Sequence, residues 1–241
     1  MSLCNSLKVI GSTAEKEAFL VSLCAVGKPT VVSFLNAHAL NLAQKNIRFT
    51  AHLREADYLL RDGIGITVLM RVLGKDPGLN MNGTDLIPEI IERFKGRKIA
   101  LCGTLDPWLA KAAEHIKNEM GQRIIVCLDG FQDHHVYIEE LQQKKPDLII
   151  LAMGMPRQEE LADKLARTLD FPVVVINGGA ILDFMAERFP RAPAFWRRIK
   201  LEWAFRFFQE PFRLFGRYIL GGFSFSLLMV KLKVRERKGA S

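Results

Sequence analysis

Between Lys98 and Asp183 the chain alternates uninterrupted apolar runs with amphipathic stretches. The runs KIALCG (from Lys98), RIIVCLDG (from Arg123), DLIILAMG (from Asp147) and PVVVING (from Pro172) are continuous rather than alternating. Strands buried on both faces of a parallel sheet have this pattern, because neither face meets water. Helical patterns separate them, from Pro107 to about Met120, near His134–Lys144, and across Gln158–Leu169. Strand and helix in turn, joined by short connections and right-handed crossovers, predict an α/β fold, a compact Rossmann-like layer sandwich on a parallel sheet. The first third is more helical. Ser12-Thr13 before AEKEAFLVSLCAV predicts a capped helix, TVVSFLN from Thr30 a strand, and Leu42 to Leu73 further helices, with Ala51–Arg61 read as helix. Gly74–Gly83, GKDPGLNMNG, is turn-rich and reads as an exposed loop near a site.

Charge changes this picture at one end. Arg188 to Ser241 carries 13 Lys and Arg against 3 Asp and Glu, while the whole chain of 241 residues is only +8. The same segment holds 12 of the 22 aromatic residues, interleaved with arginine as in Phe195-Trp196-Arg197-Arg198 and Pro211-Phe212-Arg213. Such a mixture suits a helical surface that meets anionic headgroups while its rings enter the interface. The chain therefore divides into a core, residues 1–190, and a basic aromatic, membrane-contacting appendage, residues 191–241. The apolar content of that tail exceeds what phosphate contacts need, which argues against nucleic acid. Its longest weakly polar run, Tyr218–Val230, has 13 residues where a spanning helix needs roughly 20. An exposed aromatic tail could equally bury itself against a second copy of the chain. The N-terminus shows no secretory pattern. Cys4, Cys24, Cys102 and Cys127 form no CxxC pair, and the last three sit in apolar runs, so buried, reduced thiols in a cytoplasmic protein are expected.

Four segments carry candidate chemistry, three of them at strand ends. Asn36 ends the early strand, where a polar side chain faces the ligand crevice of such folds, or else caps the next helix. Asp62, on the glycine-rich turn Asp62-Gly63-Ile64-Gly65, is either a general base in a cleft or a helix N-cap. The turn is not a dinucleotide fingerprint: Val68 stands at the third glycine position, and no strand is read before Gly63. Gln158 and Glu159 open a helix after the third apolar run, where amide and carboxylate suit sugar hydroxyls. Gly178-Gly179 follows the fourth, where backbone N–H groups approach a phosphate closely, or where a helix packs tightly on the sheet. No Asp-x-Asp, GxxxxGK[ST], HExxH or GxSxG occurs. Diphosphate charge would then fall to backbone dipoles and arginine, and no metal or other cofactor is expected.

Taken in order, FLNAH, AD-x-x-x-x-DGIGI, GTDL, LAMGMPRQEE, INGGAILDF and RAP-x7-LEW-x6-EPFRLFGRY resemble the WecG/TagA/CpsF family of bacterial glycosyltransferases, glycosyltransferase family 26. The resemblance spans roughly Val9 to Tyr218. It implies an inverting transfer of a sugar (N-acetylmannosamine-type, its uronic acid, or glucose) from a UDP-sugar to a polyprenyl-diphosphate-linked saccharide. It also implies peripheral attachment at the cytoplasmic membrane face during cell-surface polysaccharide assembly. By the same resemblance Asp62 is the catalytic base, and Gly63 beside it binds substrate. Asn36 and Gln158, with Glu159, contact acceptor or sugar, Gly178 and Gly179 lie at the nucleotide end, and Arg206, Arg213 and Arg217 face the diphosphates. The chain departs from the family pattern at Phe34, at Asn80 and within INGGAILD. Two other readings belong to different classes: an NAD-type oxidoreductase on the same layers, and a non-catalytic module docked on a membrane.

Overall fold

The computed structural model describes residues 3–239 except 191, 194, 197–201 and 210. Six strands form one sheet: β1 (Pro29–Leu35), β2 (Tyr58–Arg61), β3 (Lys98–Gly103), β4 (Arg123–Leu128), β5 (Leu148–Ala152) and β6 (Val173–Asn177). All pairings are parallel and the spatial order is β2-β1-β6-β5-β3-β4. Core helices are α1 (Thr13–Leu23), α2 (Ala37–Ala43), α3 (Ile47–Glu55), α4 (Gly63–Val72), α5 (Gly83–Arg93), α6 (Trp108–Asn118), α7 (His134–Lys144), α8 (Arg157–Thr168) and α9 (Ile181–Met185). Beyond them lie α10 (Glu202–Gln209), α11 (Pro211–Phe215), a π-helical turn (Gly216–Leu220) and α12 (Gly221–Gly239).

The continuous apolar runs have a direct cause. In β6, Val174 and Ile176 join the cluster under α1, α5, α6 and α9, while Val173 and Val175 join the cluster under α7 and α8. β5 and β3 divide in the same way, Ile150 and Leu101 to the first cluster, Leu151 and Cys102 to the second. With alternate residues buried on opposite faces, the runs stay apolar on both sides, and two polar exceptions, Ser33 and Asn177, bond to each other at 2.8 Å. The capped helix forms as expected: Ser12 Oγ accepts from the Glu15 N–H of α1 at 3.2 Å.

Three expectations are corrected. The stretch read as helix through Arg61 ends at Glu55, and Tyr58–Arg61 is the edge strand β2, paired in parallel with β1. Four residues are too few to display a period of two, and α3 runs almost into them. A strand therefore does precede Gly63, and of the two objections to a dinucleotide fingerprint only Val68 remains. The thiols are not uniformly buried: Cys4 and Cys102 are, Cys24 is half-buried, and Cys127 is exposed because edge strand β4 turns one face outward. The loop before α5 is also less open than its turn residues suggest, with Met81 and Asn82 buried.

The last helix returns to the core. Phe225 and Leu228 are buried in a third cluster with Leu40 of α2 and Ile66 and Leu69 of α4, and Asn41 Nδ2 donates to the Gly221 carbonyl at 2.7 Å. Among the described residues no helix is long and apolar enough to cross a membrane. One close approach sets a limit on the sheet: a Cβ on Gly103 would lie 2.3 Å from the Ala152 carbonyl oxygen. That neighbour is backbone and cannot yield, so Gly103→Ala is expected to cost about 1–3 kcal/mol of unfolding free energy, read from the urea midpoint at unchanged slope.

Candidate active site

The chain diverges at the middle of the sheet. From β3 it moves outward to β4, whereas from β5 it moves the other way to β6, although β3 and β5 are neighbours. Open parallel sheets form a crevice beyond the carboxyl ends of their strands at such a point. A cleft of about 600 Å³ lies there, lined by the first residue after each of five strands: Asn36, Asp62, Thr104, Met153 and Gly178.

Strand register builds the acidic end. Leu35 of β1 pairs with Arg61 of β2, so the next residues, Asn36 and Asp62, leave the sheet side by side. The Asp62 N–H donates to the Leu35 carbonyl at 2.9 Å, and Asn36 Nδ2 donates to Asp62 Oδ2 at 3.2 Å. Asn36 Oδ1 meanwhile accepts from the Ala39 N–H at 2.9 Å, so one side chain both caps α2 and holds the carboxylate. Asp62 precedes α4, makes no side-chain cap bond to it, and lines the cleft. Beneath it Arg61 is buried, its guanidinium donating to the carbonyls of Pro77 at 2.8 Å and Gly78 at 3.1 Å and to Asn80 Oδ1 at 3.2 Å. Burial lowers the Arg61 pKa, opposed by the charge of Asp62. Arg61 thus ties the turn-rich loop to the strand that presents the carboxylate. Asn80 Oδ1 also accepts from Gly63 N at 3.3 Å, and Gly63 does not line the cleft.

Helix α12 reaches this end from behind. A Cβ on Gly65 of α4 would lie 3.0 Å from Ala37 Cβ and 3.6 Å from the Phe225 ring. Glycine there lets α2, α4 and α12 close on one another just behind the Asn36–Asp62 pair.

At the centre, Gln158 is 1% exposed yet borders the cleft. Its Oε1 accepts from the Gly154 N–H at 3.2 Å and the Gly179 N–H at 3.0 Å, and its Nε2 donates to Glu159 Oε1 at 2.8 Å. Glu159 is also 1% exposed and does not line the cleft, so it lies behind Gln158 rather than facing a sugar. Burial, partly offset by the Gln158 amide, pushes its carboxyl up to about 7. Gly178 and Gly179 border the cleft, but their N–H groups do not await a phosphate. Gly178 N–H goes to the Leu151 carbonyl at 2.7 Å, and that of Gly179 to Gln158. The glycine pair contributes close access, not donors.

The opposite end holds residues that sequence reasoning missed. Thr104 Oγ1 donates to Asp183 Oδ1 at 2.6 Å, and Arg188 Nη1 meets the same oxygen at 3.1 Å. Phe131, 66% exposed, presents an aromatic ring beside them. Thr104 was open to the strand-end logic that selected Asn36, since it directly follows KIALCG. The side chains of Arg206, Arg213 and Arg217 lie outside the described residues. Among the described residues His52, Glu55 and Asp163 could together hold a cation, but none of them lines the cleft and Arg167 engages both carboxylates.

An open parallel sheet with a cleft at its switch point and a carboxylate held there by an amide makes this an α/β protein with a ligand crevice at the carboxyl ends of its strands. The chain belongs to the glycosyl transferase WecG/TagA/CpsF family, whose family model matches residues 8–239. It is a glycosyltransferase. It is 29% identical over 175 residues to an N-acetylglucosaminyldiphosphoundecaprenol N-acetyl-beta-D-mannosaminyltransferase of Bacillus spizizenii, covering 71% of this chain and 68% of the relative. Proteins of the same name from Bacillus subtilis (26% over 188 residues, 76% and 73% covered) and Staphylococcus aureus (24% over 213 residues, 84% and 81%) are also similar.

Two outcomes follow from this geometry. Asn36→Ala should cost about 1 kcal/mol in denaturant unfolding through the lost cap and lower turnover by releasing Asp62. A raised carboxyl pKa stabilises the fold fully below the unfolded value, and that contribution disappears as pH rises through the folded one. Wild type should therefore lose up to about 3 kcal/mol relative to Glu159→Gln between pH 4.5 and about 7, followed by denaturant midpoints across pH.

Proposed function

We propose that this chain is an inverting transferase that moves an N-acetylmannosamine-type sugar from a UDP-sugar to a polyprenyl-diphosphate-linked N-acetylglucosamine. The observation that carries the reading is the Asn36–Asp62 pair in a cleft of about 600 Å³ at the carboxyl ends of the strands. The activity for which the similar proteins are named supports the acceptor and the transferred sugar.

In the proposed reaction the acceptor hydroxyl sits against Asp62. The carboxylate takes the hydroxyl proton as the oxygen attacks the anomeric carbon from the face opposite UDP. The new carbon–oxygen bond forms, the bond to the β-phosphate oxygen breaks, and UDP departs with that electron pair. Asn36 holds the carboxylate toward the cleft and away from a capping role. The N–H groups of Gly178 and Gly179 are committed within the protein, so charge on departing UDP falls to Arg188 and to the appendage arginines. In this reading no metal takes part.

We further propose that the enzyme works as a peripheral protein at the cytoplasmic face of the membrane. Supporting this is the outer side of the C-terminal helices, where Phe212 is 98% exposed and Phe208, Phe223, Leu227 and Val230 are exposed as well. A surface this apolar within a segment this basic suits an anionic lipid interface.

The test is UDP release by the full chain with a polyprenyl-diphosphate-linked N-acetylglucosamine acceptor. UDP-ManNAc, UDP-ManNAcA, UDP-glucose and UDP-GlcNAc serve as alternative donors, each with and without EDTA. Acceptor-dependent release from UDP-ManNAc that survives EDTA is expected. Asp62→Asn should reduce kcat by about 10²–10⁴-fold with donor affinity unchanged. Wild-type turnover in that variant would remove Asp62 from the role of base.

A further inference from the structure

Gln158 joins two loops that no backbone hydrogen bond links. Its carbonyl oxygen receives Gly154 N–H from the loop after β5 and Gly179 N–H from the loop after β6. Both loops border the cleft, and both glycines are held at positive φ, 78° and 61°. On the far side of β6, Asn177 Nδ2 donates to Ser33 Oγ of β1 at 2.8 Å, so the loop after β6 is in turn fixed to the strand that ends in Asn36.

The clasp works in only one orientation of the amide. Rotated by half a turn, Gln158 would set its NH₂ group against two N–H donors, and both contacts would be lost. The group that selects the orientation is Glu159, whose Oε1 accepts from Gln158 Nε2 at 2.8 Å. Stability does not explain a carboxyl at that place. Glu159 is 1% exposed, and its Oε2 is a buried oxygen without a hydrogen-bond partner. Burying a polar atom in that way is costly, and an apolar side chain would pack the first turn of α8 at lower cost. Its neighbours Leu161, Ala162 and Leu165 are all buried apolar residues of the same helix.

We propose that Glu159 is a positioning residue, which locks the Gln158 amide in the one orientation that clasps the β5 and β6 loops along the cleft. Its carboxyl pKa of about 7 is compatible with this part, because either protonation state keeps an oxygen that accepts from the amide. The role in turnover rests on the transferase reading given above, whereas the clasp itself does not.

The experiment follows the amide hydrogens of Gly154 and Gly179 by hydrogen exchange in the ¹⁵N-labelled full chain. Ile150, in the middle of β5, serves as the folding control. Glu159→Gln keeps an accepting oxygen and should leave both glycines protected to within about 3-fold of wild type. Glu159→Leu should speed exchange at both glycines by about 10-fold or more while Ile150 stays protected. In UDP release, Glu159→Leu should lower kcat/KM by about 10-fold alone and have no further effect in a Gln158→Leu background, the signature of acting through Gln158. Unchanged glycine protection in Glu159→Leu overturns the proposal, and so do losses that multiply in the double variant. If wild type releases no UDP, the transferase reading fails on its own, and the exchange measurements still decide whether the clasp exists.

Discussion

Burial of the sheet on both faces governs where this molecule can keep polar chemistry. Every side chain from Leu148 to Leu151 and from Val173 to Ile176 is fully covered, and desolvating an unpaired polar group there would cost several kcal/mol. Polar chemistry is therefore concentrated in the residues beyond the strands and in the helices that follow them. With all strands parallel, those positions gather along one edge. Asn36, Asp62, Thr104, Met153 and Gly178 meet in one cleft for that reason, although they are spread over more than half the chain.

Within that constraint, register fixes the chemistry. A shift of one residue between β1 and β2 would turn alternate side chains to the other face and part Asn36 from Asp62. Several contacts guard the register. Leu59, Leu60 and Arg61 are all buried, and Arg61 fastens the loop before α5 beneath Asp62. Gly65 admits Phe225 and Ala37 at close range, so α12 braces the turns that carry the pair. The helix that follows the exposed aromatic segment is thus packed against the elements that carry the carboxylate, through Phe225, Leu228 and the Asn41–Gly221 hydrogen bond.

The centre of the cleft follows a different rule. There backbone N–H groups that resemble a phosphate cradle are already spent on Gln158 and on the Leu151 carbonyl, and a buried carboxyl fixes the amide. The protein invests polar groups in holding its loops rather than in donating to a ligand.

The parallel sheet, the clustering of motifs at strand ends and the concentration of charge in the tail were legible in the sequence. They follow from burial, periodicity and composition, which are local or additive properties. Asp62 was legible as a candidate, either in a cleft or as a cap. In the structure it makes no cap bond and is held by Asn36, which lies 26 positions away and is brought into contact by strand pairing. Strand β2 escaped notice because four residues carry no measurable period, and sheet pairing rather than propensity makes them a strand. Glu159 appeared to be a sugar contact, since a carboxylate at a helix start is ordinarily wet; only packing of the first turn of α8 against the sheet put it behind Gln158. Composition and pattern thus determined which residues could act and at which edge. Tertiary structure decided which of them face the cleft, because facing depends on neighbours that the chain supplies from far away.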